Sequence, residues 1–431
     1  MPFLGYSVYR YQNGFTYFCL FKMMSLKPHI NTALAYFLIA AALGLVLRFF
    51  SVLEIPITYK FFVHTHSHIA VLGWVYVALT SLIYKVYVQQ EEQDKRYRII
   101  FWCTQITLVG MLFSFPFQGY ALFSIIFSTS FLFASYAFFW LFTSHTKPEV
   151  KQSHSYKLMK AALWYMVLSS IGPWALGGIM SVLGPESIWY RMAIYFYLHF
   201  QYNGWMILAL VALFFYVLEQ KNVVLEEKSF RRFFWLLNLG IILSFFLSAL
   251  FADPPVFLNL IGGLGAVLQL LAFVFLGKEY FSLKAGEKLF LTAMQTFLLQ
   301  LVVLTIAVKM IVQVLSALPF FVAIVTVYLD FVIGYLHWTF LGVLTLGIFF
   351  FFDYFKFIAL TKYMVWFYLI GFIATEALLF HRAIAGWQGL PLIREYPKIL
   401  AVASLIIVIS LGVIFISSIF SSKENQKGKV E

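Results

Sequence analysis

A chain of 431 residues that is 62% hydrophobic, 20% aromatic and only 11% charged, with a mean hydropathy of +0.88, is too apolar for a soluble globule. Its net charge of +12 would suit a nucleic-acid binder, but no basic face or nucleic-acid motif accompanies the charge. The basic residues sit instead in short loops between apolar runs, where they set membrane topology. The 2 cysteines, Cys19 and Cys103, form neither CxxC nor CxxCH, which excludes a disulfide framework and covalently attached haem.

Residues 1–22 are aromatic and lack a basic start and a small-residue cleavage site, so they are not read as a signal peptide. Met23 or Met24 is an alternative start. Twelve apolar segments follow, each long enough to cross a hydrocarbon core as a helix: 29–50, 64–88, 98–116, 119–143, 157–182, 190–218, 232–252, 256–277, 288–316, 323–352, 361–383 and 397–420. The expected fold is therefore an all-α integral membrane protein of about twelve transmembrane helices. Its expected parts are an N-terminal cytoplasmic segment (1–28), one membrane domain (29–420) and a polar, disordered cytoplasmic tail (421–431). Pro116-Phe-Gln-Gly119 is expected to turn a tight hairpin between the third and fourth helices, Asp253-Pro-Pro255 to join the seventh and eighth, and Pro173 to kink the fifth. Lys and Arg concentrate in the N-terminal segment, the even-numbered loops and the tail. The positive-inside rule then places both termini in the cytoplasm. The compact loops suggest a bacterial inner membrane.

Histidine is the anomaly. His64, His66 and His68 open the second helix, and His199 and His337 lie on the sixth and tenth. His68, His199 and His337 are four helices apart, at matching depth, and each is followed five residues later by glycine: Gly73, Gly204 and Gly342. The pattern predicts three pseudo-symmetric four-helix arcs. Neutral imidazole coordinates iron, copper and zinc and costs less in lipid than a fixed charge. His66 and His68 point about 200° apart on a helix, so one helix could serve two centres. His64 and His68 share a face that would suit one metal. Single histidines also occur as hydrogen-bonded interior residues. His29, His145 and His154 read as residues of helix ends and loops, and His381, near Glu376, as half of a pair that orients a metal ligand, a proton relay or a metal ligand itself.

His66-Ser-His68-Ile-Ala-Val-Leu-Gly73-Trp74 resembles the HxH helix of haem–copper oxygen reductases and nitric oxide reductases, and equally the early HxH segment of NnrS-type haem–copper membrane proteins. Leu336-His337 to Gly342 is similar to a later NnrS segment. The resemblance implies a haem b, with His68 as a low-spin ligand opposite His337 or His199. His66 would serve a second centre, such as copper, and Arg48, Arg382 and Arg394 would pair with haem propionates. It further implies a small diatomic ligand (O2 or NO), an electron donor that is a protein or a quinol, and contact with membrane lipids. Two departures stand out. Segment 232–252 lacks the paired copper-binding histidines, and His199-Phe-Gln-Tyr-Asn replaces the family's helix-six motif. Turnover is therefore left open and no catalytic residue is assigned. The rival readings are a transporter using Asp330, Glu376 and Lys309, and a metal-binding sensor or assembly protein.

Overall fold

The computed structural model describes residues 24–282 and 289–427, with side chains to residue 420. The expectations for residues 1–23 and 428–431 fall outside that range. Helices long and apolar enough to cross a membrane are α1 Lys27–Phe49, α2 Tyr59–Val88, α3 Glu91–Gln118, α4 Leu122–His145, α5 His154–Val182, α6 Ile188–Gln220, α7 Glu227–Ser248, α8 Val256–Ser282, α9 Ala293–Leu315, α10 Leu329–Tyr354, α11 Lys362–Gln388 and α12, which spans Tyr396–Phe420 and runs on to Lys427. A short helix, Pro319–Val327, connects α9 to α10. Among the described residues there is no strand. The protein is an all-α polytopic membrane protein, and the expected spans coincide with the helices to within a few residues.

Backbone hydrogen bonds must be satisfied within each segment in lipid, so the interior is organised by which faces meet. In α2 and α6, 89% of the most apolar window is buried, and in α10 67%; the other spans reach at most 44%. These three helices form the centre and touch one another pairwise. The surroundings repeat three times. The second helix of each unit packs between the first and third: α2 between α1 and α3, α6 between α5 and α7, α10 between α9 and α11. The third and fourth pair as α3 with α4, α7 with α8 and α11 with α12, and α12 returns to α1 to close the ring.

The repeat extends to single atoms. A Cβ at Gly73 would lie 2.9 Å from the Tyr36 ring of α1, and one at Gly204 would lie 2.7 Å from the Tyr165 ring of α5. One at Gly342 would meet Thr305 of α9 at 3.3 Å and Phe372 of α11 at 3.0 Å. The matching glycines thus admit the neighbouring helix at equivalent points, small residues being what allows such approach in lipid.

α5 breaks at Ser170, between helical stretches His154–Ser169 and Ile171–Val182. Pro173 has no N–H to offer the Ser169 carbonyl four residues back, which accounts for the break. Pro116 differs from expectation. It lies inside α3, which runs on to Gln118, and the reversal is made by Gly119 at φ +59°. Proline near a helix C-terminus strands few carbonyls, so the chain continues past it. Asp253, at φ +49°, turns the chain between α7 and α8 as the Asp-Pro-Pro sequence predicts.

Trp74, which follows Gly73, stacks on Phe37 of α1 with ring centroids 4.4 Å apart, and its Nε1 donates to Thr345 Oγ1 of α10 at 3.1 Å. Trp74→Phe should cost about 1 kcal/mol for the lost bond. Thr345→Val should cost a similar amount, and the double variant little more, a cycle readable by thermal unfolding in detergent.

Candidate functional site

In each central helix the backbone changes type at the histidine. α2 is α-helical over Tyr59–His68 and π-helical over Ile69–Tyr76. α6 changes after His199, with a π segment at Phe200–Ile207, and α10 after His337, with a π segment at Trp338–Leu344. The π-helix is rare and concentrates where a helix is widened to place a functional group. Here it begins at the residue after the histidine three times, so His68, His199 and His337 are equivalent positions of the repeat. All lie toward the end at which α2, α6 and α10 begin, called here the histidine end.

The histidines are not brought to one point. His66 and His337 are the pair that face each other, with ring centroids 6.4 Å apart and planes 18° from parallel. His66 Nδ1 donates to the Ala40 carbonyl of α1 at 2.9 Å, and His337 Nδ1 to its own Ile333 carbonyl at 2.8 Å. A carbonyl can only accept, so both tautomers are fixed with the lone pair on Nε2. Neither Nε2 has a hydrogen bond among the described residues, and both side chains are only half-buried. Gly44 makes room for the His66 ring: a Cβ there would lie 3.0 Å from His66 Cε1.

His68 was expected opposite His337 or His199, and the structure places it elsewhere. Its Nδ1 donates to the His64 carbonyl at 2.8 Å, its ring packs 4.5 Å from Phe115, and its Nε2 meets the Tyr120 hydroxyl at 3.2 Å. The two-residue step from His66 turns it to the α3–α4 side. His64 joins that cluster, 4.7 Å from the Tyr120 ring, which bears out the shared face of His64 and His68.

His199 has both nitrogens engaged. Nε2 donates to the Ile241 carbonyl at 2.8 Å, and Nδ1 accepts from Ser248 Oγ at 3.1 Å, with the Asn203 amide at 3.3 Å. This arrangement is an interior hydrogen-bonded histidine rather than a free donor to a metal. Among the described residues no three of His, Cys, Asp and Glu converge as a metal-binding group. The ligand set that a copper or zinc held by side chains alone would need is therefore not assembled there.

Arg48, half-buried at the end of α1, lies within electrostatic reach of His66, His337 and Glu376. Arg382 Nε pairs with Asp330 Oδ2 at 3.2 Å on the same end of the bundle. Arg394 is exposed in the α11–α12 loop, apart from this cluster. Glu376 is buried, and neither carboxyl oxygen has a hydrogen-bond partner among the described residues; the same holds for His381 Nε2. His381 lies 6.3 Å from the Tyr396 ring. The remaining histidines hold helix ends: His145 bonds Arg96, His154 bonds Glu227, and His29 packs on Phe101.

Reasoning from sequence missed Tyr120, Gly44 and the Ala40 carbonyl. Tyr120 follows the hairpin glycine and could have been sought there. The Ala40 carbonyl leaves no sequence signal. The chain matches no model of a known protein family and no curated protein sequence.

Proposed function

We propose that this membrane protein binds a b-type haem between α2 and α10, that His66 and His337 are the residues that would hold its iron, and that it carries electrons. The observation that carries the reading is the His66–His337 pair. The rings stand 6.4 Å apart with planes 18° from parallel, close enough for both imidazoles to serve one metal centre. Each Nδ1 is anchored to a carbonyl, the partner that orients a ligating histidine and raises the basicity of the other nitrogen.

When bound, such a haem supplies a one-electron couple. This chain's residues do the rest. His66 and His337 would hold the iron from two central helices. Arg48 and Arg382 offer positive charge for propionates at the histidine end. The Phe37, Trp74 and Tyr368 rings exclude water around the neighbouring helices. With two histidines committed to the iron, the group would serve electron transfer from a protein or quinol rather than binding of O2 or NO.

The helix arrangement and the three arcs support placing this chain beside the haem–copper oxidases and NnrS-type proteins. On that reading it sits in a bacterial inner membrane with both termini cytoplasmic. The test is an absorption spectrum and iron analysis of the purified protein. The expected result is sharp reduced b-type bands and one iron per chain. A colourless protein expressed with haem in excess would overturn the reading.

A further inference from the structure

A cavity of about 340 Å³ opens among α6, α7, α9 and α10 at the histidine end, roofed in part by the short helix before α10. It falls at the low end of the range of about 300–1,000 Å³ that small-molecule pockets occupy. Its walls are largely apolar, with Leu247, Val325 and Phe331 among them. Its polar groups are hydroxyls, the His199 imidazole, the Asn203 and Gln313 amides and one guanidinium. Among the described residues that line it, Arg191 carries the only formal charge, and no Asp or Glu is present. The Gln313 amide nitrogen, also in the wall, has no hydrogen bond among the described residues.

Behind that wall lies Lys309, with no exposed surface. Its Nζ donates to Asn203 Oδ1 and Gln313 Oε1, both from residues that line the cavity, and it stands 5.9 Å from the Tyr335 ring. No carboxylate pairs with it among the described residues. An ammonium has three protons to donate, and two neutral amides take two of them. A lysine buried in a bundle without a counter-ion is costly, and intramembrane charges of this kind mark ligand or ion sites.

We propose that this cavity binds a monocarboxylate with a small apolar body. The carboxylate takes the free Gln313 amide and the field of Lys309, and the body lies against Leu247, Val325 and Phe331. Arg191 at the mouth favours entry of an anion. The inference does not depend on haem binding. It concerns the cavity beside His199 rather than the His66–His337 pair.

The test uses the full chain in nanodiscs of zwitterionic lipid. Radiolabelled benzoate, drawn from water, and decanoate, drawn from the membrane, are compared with benzyl alcohol and decanol. At least one acid is expected to bind saturably and at least about tenfold more tightly than its alcohol, a difference of about 1.4 kcal/mol. Which acid binds identifies the source. Lys309→Met should bring the acid-to-alcohol ratio to near one. Val325→Trp, which fills the cavity from the connecting helix, should abolish binding while leaving the melting temperature and any haem spectrum in place. Should Lys309→Met fail to fold, the wild-type ratio and the Val325→Trp arm still decide. The proposal is overturned if neither acid saturates, if alcohols bind as well as acids, or if Val325→Trp binds like the wild type.

Discussion

His66→Ala and His337→Ala should each lower bound haem at least about tenfold, whereas His199→Ala and His68→Ala should keep the reduced b-type spectrum. Losing even an outer-shell partner of a metal ligand typically costs 10–100-fold in affinity, and an axial nitrogen is the more direct loss. The contrast lies in which nitrogens are free. Among the described residues His66 and His337 present Nε2 without a partner, with Nδ1 tied to Ala40 and Ile333. His199 has Nε2 on the Ile241 carbonyl and Nδ1 on Ser248, so its removal breaks two interior hydrogen bonds and should cost stability rather than haem. His68 faces Tyr120. Visible spectra of the four variants at matched protein concentration decide the matter. Imidazole added to His66→Gly should restore part of the signal, which a purely structural role would not allow. Loss of the spectrum in His68→Ala but not in His66→Ala would mean that the pairing is wrong.

The membrane helices were legible because hydrocarbon leaves the backbone no other choice, so about twenty apolar residues in a row already define a helix. The three arcs were legible from one offset, histidine to glycine, and the Tyr36, Tyr165 and Thr305 contacts give that offset its physical content. The rotation of α2 was not legible. Sequence says that His66 and His68 point apart, but not which of them faces α10, because that phase is set by how Gly44, Ala40 and Tyr36 of α1 seat the helix. The π segments share no pattern in hydropathy either, since Ile69–Tyr76 and Trp338–Leu344 are almost wholly apolar whereas Phe200–Ile207 carries Gln201 and Asn203. Pro116 shows the same limit on a smaller scale. It reads as a turn former, yet Gly119, directly after the last helical residue, is what reverses the chain.

Substituting leucine at Gly73, Gly204 and Gly342 should destabilise the bundle by about 1–3 kcal/mol or more at each site, the usual cost of overpacking. Alanine makes the sharper test, because its sign separates two explanations. If these glycines were merely tolerated in open helix, alanine would stabilise by up to about 1 kcal/mol through helix propensity. A Cβ at Gly177 or Gly178 meets nothing within 4 Å, so Gly177→Ala should show that gain. At Gly204 the new carbon would lie 2.7 Å from the Tyr165 ring, and at Gly73 2.9 Å from that of Tyr36, so alanine there should destabilise. Gly342 should be the mildest of the three, because its nearest neighbours are Phe372 at 3.0 Å and the flexible edge of Thr305 at 3.3 Å. Tyr36→Ala combined with Gly73→Leu should recover part of the loss, since the clash is with that ring. Thermal unfolding in detergent, followed by tryptophan fluorescence, would report all of these. Equal gains at Gly73, Gly204 and Gly177 would mean that the equivalent helix contacts do not hold the three arcs together. The opposite signs would tie the histidine-to-glycine spacing to the approach of α1 on α2 and α5 on α6, the approach that seats His66 toward α10.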